Sequence, residues 1–305
     1  MKKVACPVIS VGNISMGGTG KTPFVIGLAE HFSSEDRNVG ILTRGYGRNS
    51  SDPLTYNPSA TITDWRDSGD EPYLMHNRLE NVTLAVDANR IRGATAVIEK
   101  ENCDLLILDD GFQHRKIHRD LDIVLLDDGK KLEDRLLIPS GRLREPLSSL
   151  GRADVLIYSG EEVDSIRFNK FIKASCIICG GNKTVDSLVH IQSGNEIEIS
   201  SLKDSNISAF CGIGDPEDFR LILESAEPSN LVFLPFSDHH LYQDSDLSKI
   251  KLHYFSSKSE FLVTTEKDSF KLPQNFYEEL NVYFLRINYE ITWEKEKLLA
   301  LLKKI

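Results

Sequence analysis

Near its start the chain reads Val8-Ile9-Ser10-Val11-Gly12-Asn13-Ile14-Ser15-Met16-Gly17-Gly18-Thr19-Gly20-Lys21-Thr22. The apolar beginning predicts a buried strand, and Pro23 predicts the first turn of a helix directly after the glycines. A strand, a glycine-rich loop ending in Gly-Lys-Thr and a helix together form the context of a phosphate-binding loop. Backbone N–H groups of such a loop face phosphate oxygens, while Lys21 reaches the outer phosphates and Thr22 can ligate Mg²⁺. The one departure is Ser15, which stands where the usual pattern has its first glycine.

Short apolar runs alternate with helical patterns over about the next 150 residues. The runs are Val39–Thr43, Val82–Val86, Leu105–Leu108, Ile123–Leu126 and Val155–Ile157. Helical spacing appears around Phe24–Phe32 and Ile91–Glu99. Runs without alternation are typical of strands buried on both faces. The sequence therefore predicts an α/β fold in which helices cover a parallel sheet of the P-loop NTPase type.

A second, smaller α/β domain is predicted after a change of pattern near Ile178. Alternating residues around Ser193-Gly194-Asn195 predict an antiparallel hairpin. Four further strands are predicted, at Ile207–Cys211, Leu231–Leu234, Phe261–Thr264 and Val282–Leu285. The predicted organisation is a P-loop domain over 1–185, a hairpin linker over 186–203 and a smaller domain over 204–305.

The composition favours an ordinary folded protein of the cytosol. The chain has 305 residues, 40% of them hydrophobic, and a net charge of -10, which opposes indiscriminate binding to nucleic acid. No stretch has the length of a spanning helix, and the start lacks the apolar core of a signal peptide. Five cysteines, an odd number, argue against a disulfide framework, and Cys176 with Cys179 is interpreted as part of an apolar strand rather than as a redox or metal site.

Two pairs of carboxylates follow buried strands, where a phosphate loop requires acids to hold its metal. Asp109-Asp110 continues into the polar loop Gly111–Arg115, and Asp127-Asp128 continues into Gly129-Lys130-Lys131. The first pair is favoured because its loop is rich in groups that could meet phosphate or sugar. For either pair, the alternative is a solvated turn after a strand.

Other polar motifs allow two interpretations each. Asp70 in Gly69-Asp70-Glu71-Pro72 is either the N-cap of a helix or a carboxylate that accepts a proton from an attacking hydroxyl, and one residue can do both. Asp238-His239-His240 offers an imidazole to tune such a carboxylate, or is an exposed loop. Thr264-Thr265-Glu266-Lys267-Asp268 could line a nucleotide cleft, or form an ordinary capped turn. The arginine-rich segments suit phosphate ligands, although surface ion pairs are the commoner use.

Seven motifs in the same order resemble the tetraacyldisaccharide 4'-kinase family, the lipid A kinases LpxK. They are the phosphate loop with its flanks, Thr43-Arg44-Gly45-Tyr46-Gly47, Gly69–Pro72, Asp109–His114, Pro139–Pro146, Asp238–His240 and Thr264–Asp268. The resemblance implies ATP- and Mg²⁺-dependent phosphorylation of a tetraacylated disaccharide 1-phosphate to give lipid IVA. It further implies peripheral association with the cytoplasmic face of the inner membrane, with neither nucleic acid nor a protein partner.

The resemblance also implies roles for individual residues. Lys21 and Thr22 are similar to the phosphate-loop pair, Lys21 having a catalytic role. Asp70 is similar to the catalytic carboxylate, and His239 or His240 to its histidine partner. The implied metal ligands are Thr22, Asp109, Asp110 and Glu145. The implied contacts to the nucleotide are Ser15, Met16, Gly17, Gly18, Thr19, Gly20, Lys21, Thr22, Glu266, Lys267 and Asp268, and those to the substrate are Tyr46, Gln113 and Arg144.

The N-terminus departs from the family. Members usually carry there an apolar or amphipathic segment that docks on the membrane, whereas about seven residues precede the first predicted strand here. The alternative function is a P-loop switch ATPase without a metabolite acceptor. ATPases of the deviant-loop class carry lysine where this chain has Met16, and they need no acceptor-side Asp and His.

Overall fold

The computed structural model describes residues 1–127, 136–160 and 162–305. These residues form two compact units, which we call unit 1 and unit 2. Unit 1 comprises Met1–Lys183 with Tyr289–Ile305, and unit 2 comprises Thr184–Asn288.

Unit 1 is built on a sheet whose strands coincide with the predicted apolar runs. The strands are β1 (Val8–Asn13), β2 (Val39–Thr43), β3 (Leu54–Tyr56), β4 (Val82–Val86), β5 (Leu105–Leu108), β6 (Leu121–Leu126), β7 (Val155–Tyr158) and the first part of β8 (Ile177–His190). Their order is β3-β4-β2-β5-β1-β6-β7-β8, and neighbours are parallel except β3 with β4. The chain leaves β1 toward β2 and later returns to its other side with β6. Open parallel sheets bind ligands at the carboxyl ends of strands beside such a reversal.

Helices cover both faces of this sheet. They are α1 (Lys21–Ser34), α2 (Trp65–Ser68), α3 (Asp70–Arg78), α4 (Arg90–Glu101) and α5 (Glu162–Ser165), with 3₁₀ turns at Leu147–Arg152 and Ile166–Phe168. In β5, Leu105 and Ile107 join one apolar cluster, and Leu106 and Leu108 join another. Successive side chains of a strand point to opposite faces, so both faces are buried. The predicted P-loop type of α/β fold is confirmed.

Unit 2 contains a smaller parallel sheet. Its elements are the second part of β8 with β9 (Glu196–Ile197), β10 (Asn206–Cys211), α6 (Pro216–Glu224), β11 (Asn230–Pro235), α7 (Asp244–Ser256), β12 (Phe261–Thr265), α8 (Glu266–Ser269) and the first part of β13 (Val282–Trp293), with 3₁₀ turns at Ile199–Leu202 and Gln274–Phe276. The order is β11-β10-β12-β13, all parallel. The predicted hairpin is present, since β8 pairs antiparallel with β9, Leu188 opposite Ile197.

The boundaries of the two compact units differ from the predicted domain boundaries, which were 1–185, 186–203 and 204–305. The hairpin belongs to unit 2, and Tyr289–Ile305 belongs to unit 1. The reason for the second difference is α9 (Lys295–Leu302), whose Leu298 and Leu302 are buried in the same apolar cluster as β1 and α1. That each unit is a separate functional domain stays a prediction.

Two further expectations concern membrane-spanning helices and the cysteines. Among the helices of the described residues, none is both long and apolar enough to cross a bilayer. All five cysteines lie in the described residues and are free, with Cys103, Cys179 and Cys211 buried. Burial raises the pKa of the Cys176 thiol to about 11, which fits the predicted structural role of the C-x-x-C pair.

Candidate active site

The phosphate loop joins β1 to α1 at the carboxyl edge of the unit 1 sheet. Gly17 and Gly20 have φ values of 119° and 81°, a region that residues with a β-carbon rarely adopt. A β-carbon on Gly20 would lie 2.7 Å from Cε2 of Tyr289. Helix α1 has no side-chain hydrogen bond at its N-cap and no acidic residue in its first turn. Its first N–H groups and the positive end of its dipole thus suit an anion.

The segment Arg142–Arg144 lies beside the phosphate loop, joined to it by an isolated antiparallel bridge between Ser15 and Leu143. The Met16 amide donates to the Arg142 carbonyl oxygen at 2.7 Å, and the Arg144 amide donates to the Ile14 carbonyl oxygen at 2.7 Å. This pairing brings two arginines to the phosphate loop across more than 120 residues of sequence. Local sequence patterns do not indicate it.

Asp110 lies between two basic side chains. Lys21 Nζ is 3.6 Å from its Oδ1, and Arg144 Nη1 donates to its two oxygens at 2.7 and 3.0 Å. Burial opposes ionisation of Asp110, but Lys21 and Arg144 outweigh it and hold its pKa below the usual value. Asp110 is therefore ionised and links the phosphate-loop lysine to Arg144.

Asp109 has the opposite environment. Its Oδ2 accepts a hydrogen bond from Thr43 Oγ1 at 3.1 Å, and its side chain is buried. Burial, followed by the charges of Glu71 and Asp110, raises the pKa of Asp109 to about 7. Glu71 of α3 is therefore among the charges that act on Asp109.

The donor set at this edge fits Mg²⁺. No group of three acidic, histidine or cysteine ligands is present among the described residues. Mg²⁺ in phosphotransfer sites usually takes one or two carboxylates together with phosphate oxygens and water, which the Thr22, Asp109 and Asp110 oxygens suit. Of the rival pair, Asp127 follows β6, and Asp128 lies outside the described residues, as do Gly129, Lys130 and Lys131.

Asp70 is the first residue of α3 and not its N-cap. The N-cap is Gly69, which has a φ of 97° and makes no side-chain cap, so the predicted capping role of Asp70 is wrong. Asp70 is 3% exposed, and its Oδ1 accepts from the Glu71 amide at 2.9 Å. A β-carbon on Gly69 would lie 2.9 Å from the carbonyl oxygen of Tyr46, so the turn around Tyr46 packs against the start of α3.

Gln113 and Glu145 are held by internal partners. Gln113 Nε2 donates to the Asn13 carbonyl oxygen at 2.8 Å, while its buried Oε1 has no hydrogen-bond partner among the residues that the structure describes. Buried oxygens of Asn13 and Ser15 are likewise unsatisfied, although Asn13 Nδ2 donates to Thr19 at 3.1 Å. Glu145 accepts from Arg152 at 2.9 Å, and the Arg152 guanidinium stacks on Phe112 at 4.2 Å. Unsatisfied buried acceptors beside a phosphate loop are expected where a ligand or water belongs.

The two predicted histidines of unit 2 differ in their surroundings. His240 Nε2 lies 2.9 Å from Asp246, its Nδ1 lies 3.4 Å from Ser237 Oγ, and its ring stacks on Phe236 at 4.7 Å. His239 has a φ of 56°, an uncommon left-handed conformation for a residue with a β-carbon.

The segment Glu266–Asp268 forms the start of α8. This agrees with the interpretation of the motif as a capped turn. Thr265 is the N-cap and accepts from the Asp268 amide at 3.1 Å. Asp268 is fully buried and accepts from Gly212, Thr265 and Lys271. Its carboxylate thus faces the interior of unit 2.

Comparisons with known proteins agree with this arrangement. A family profile described as tetraacyldisaccharide-1-P 4'-kinase, LpxK, matches residues 1–305. The chain belongs to this family. It is 38% identical to the tetraacyldisaccharide 4'-kinase of Aquifex aeolicus, over 97% of this chain and 87% of that protein. It is 35% identical to that of Syntrophus aciditrophicus, over 96% of this chain and 82% of that protein.

A solved LpxK structure has the same fold. The crystal structure of the "apo" form of Aquifex aeolicus LpxK in complex with ATP matches with a TM-score of 0.78 and 36% identity, covering 100% of this chain and 90% of that chain. As a member of the LpxK family, the chain is a kinase that acts on a hydroxyl group.

Three residues around the predicted site had no individual role predicted from the sequence. Thr43 binds Asp109, and Arg152 binds Glu145. Arg90 is buried, donates to the Asp87 carbonyl oxygen at 2.6 Å, and lies near enough to Asp109 and Asp110 to feel their charges. Thr43 ends a predicted strand, a position that favours ligand sites in parallel sheets. No local pattern distinguishes Arg90 or Arg152 from surface arginines.

Proposed function

We propose that this kinase transfers the γ-phosphoryl group of ATP to the 4'-hydroxyl of tetraacyldisaccharide 1-phosphate, which gives lipid IVA. The observation that carries the proposal is the convergence, at one sheet edge of unit 1, of the phosphate loop, Lys21 and the Asp109-Asp110 pair. The start of α3, where Asp70 is buried, packs against the turn around Tyr46 that follows the strand ending at Thr43, the partner of Asp109.

The phosphate loop would hold the triphosphate. Backbone N–H groups of Gly17, Gly18 and Gly20 and the start of α1 would bind its oxygens, since the Met16 and Thr19 amides already donate to carbonyl oxygens. The Lys21 charge would stabilise the transferring group. Thr22, Asp109 and Asp110 would hold Mg²⁺, which neutralises phosphate charge when bound. Glu145 stays a predicted member of this set, and its ion pair with Arg152 would have to open first.

Asp70 would act as the general base. Its carboxylate is held in place at the start of a helix, and a positioned carboxylate can accept the proton of a sugar hydroxyl. Its histidine partner stays a prediction. His239 Nε2 lies 3.8 Å from Asp238 Oδ1, whereas the His240 ring is held by Asp246, Ser237 and Phe236, and we propose His239 for the role. We predict that Glu266 and Lys267 contact the nucleotide.

The acceptor would be bound by Tyr46, Gln113 and Arg144. Tyr46 is 66% exposed, which leaves its ring accessible to a sugar. Large apolar side chains are exposed near the phosphate loop, namely Met16, Leu136, Leu137 and Ile138. Leu137 forms a backbone bridge to Leu143, which itself bridges to Ser15, so this apolar edge adjoins the phosphate loop. An exposed apolar edge suits acyl chains and peripheral association with the cytoplasmic face of the inner membrane. The reaction requires neither nucleic acid nor a protein partner.

The test is a transfer assay in detergent. Purified protein is incubated with γ-labelled ATP, Mg²⁺ and tetraacyldisaccharide 1-phosphate, with a Lys21→Ala variant as the matched control. We expect label in the lipid with the unaltered chain and at least about 100-fold less with the variant. Hydrolysis of ATP without any labelled lipid would instead support a switch ATPase.

A further inference from the structure

A buried ion pair in unit 2 joins Asp268 of α8 to Lys271. The side chains of Lys271 and Asp268 are 1% and 0% exposed, and Lys271 Nζ lies 3.2 Å from Asp268 Oδ1. The other oxygen, Oδ2, accepts from Thr265 Oγ1 at 2.7 Å and from the Gly212 amide at 2.9 Å. A buried carboxylate is costly unless its oxygens are satisfied, and here both oxygens have donors.

Gly212 connects this carboxylate to residues 236–240, which we call the histidine loop. While the Gly212 amide donates to Asp268, the Gly212 carbonyl oxygen accepts from the His239 amide at 3.0 Å. The packing is close, because a β-carbon on Gly212 would lie 3.0 Å from Cβ of His240 and 3.2 Å from the carbonyl oxygen of Ser237. One residue therefore transmits the position of the carboxylate to the backbone of the loop.

The backbone of His239 needs such support. Its φ of 56° is unfavourable for a residue with a β-carbon and persists only where the surroundings hold it. Its amide bond to Gly212 is one restraint, and the contacts of the neighbouring His240 ring with Phe236 and Asp246 are another. A shift of Gly212 would release the first restraint and leave the second in place.

We infer that Asp268 is a positioning residue for the kinase reaction, which fixes Gly212 and through it the backbone of His239. This inference rests on the proposed function, in which His239 assists Asp70. It also gives Asp268 a role distinct from contact with the nucleotide, since its carboxylate faces the interior.

A double-mutant cycle tests the inference. An asparagine has one acceptor oxygen where Asp268 uses two, so Asp268→Asn weakens the hold on Gly212 or on Lys271. We expect Asp268→Asn to lower kcat about 10- to 100-fold, the range for a misplaced catalytic group, with the KM for ATP little changed. In a His239→Ala background the same change should cost less than about twofold. An equal loss in both backgrounds, a raised KM for ATP at unchanged kcat, or no loss at all would overturn the inference.

Two further variants separate positioning from stability. Gly212→Ala keeps both charges of the ion pair but presses a methyl group on the histidine loop and on Asp268 Oδ1, and it should show the same dependence on His239 even if Asp268→Asn does not fold. The matched control is Asp122→Asn, which breaks another buried ion pair three residues apart, Arg119 with Asp122 at 2.9 Å in unit 1. It should lower stability without lowering kcat per folded molecule.

A spectroscopic readout keeps the inference independent of the reaction. In ¹³C-labelled protein, the ring signals of His239 are assigned by their loss in His239→Ala. They should shift in Asp268→Asn and in Gly212→Ala but not in Asp122→Asn. If the unaltered chain labels no lipid, the proposed function fails while these shifts still decide the positioning claim. Unmoved signals would refute it.

Discussion

The exchange of Asp70 for asparagine separates catalysis from stability at one buried position. Asparagine keeps the shape and an acceptor oxygen for the Glu71 amide, which now donates to Asp70 at 2.9 Å. What is lost in the fold is the interaction of a negative charge with the start of α3, up to about 2 kcal/mol at a buried position. What is lost in the reaction is the base, which commonly contributes about 10²- to 10⁴-fold in rate, or about 2.7–5.5 kcal/mol. The catalytic loss should therefore exceed the loss of stability.

The assay compares kcat for lipid phosphorylation with the midpoint of thermal unfolding. Asp67→Asn is the matched control, because it makes the same chemical change at an exposed position three residues earlier. We expect Asp70→Asn to lower kcat by at least about 100-fold and to shift the unfolding midpoint by no more than about 4 °C, while the control changes neither. A variant that keeps its kcat, or one whose activity falls only in proportion to its unfolded fraction, would refute the role of Asp70 as a base.

Three further outcomes are expected. Lys21→Ala should leave the unfolding midpoint nearly unchanged and lower kcat by about 10²-fold or more, because a charge on the transferring phosphoryl group is lost; normal turnover would remove the phosphate-loop assignment. Gly12→Ala should destabilise the protein by about 1–3 kcal/mol in urea unfolding, since its β-carbon would lie 2.6 Å from Cβ of Phe112; an unaltered midpoint would contradict that contact. Leu298→Ala should cost about 2–5 kcal/mol, because the side chain is buried in the core of unit 1, and proteolysis should then cut unit 1 before unit 2; early cleavage of unit 2 instead would contradict that packing.

Much of the fold could be predicted because its signals are local. A strand buried on both faces requires a run of apolar residues, and every such run named in the sequence is a strand in the structure, from β1 to β13. The phosphate loop was likewise predictable, since Gly17 and Gly20 adopt backbone conformations that few other residues tolerate. The order of seven motifs was enough to indicate the LpxK family, which the comparisons confirm.

The tertiary structure alone decided which distant groups meet. Asp110 is joined to Arg144, Asp268 to Gly212, and α9 to the core of unit 1, over separations that no local pattern encodes. It also decided that Asp70 begins a helix capped by Gly69, because helix ends depend on backbone geometry within a residue or two. Composition and periodicity determine which residues are buried and in which element, since burial follows hydrophobicity and spacing. The pairing of buried polar groups depends on packing across the whole chain, and so it becomes visible only once the chain is folded.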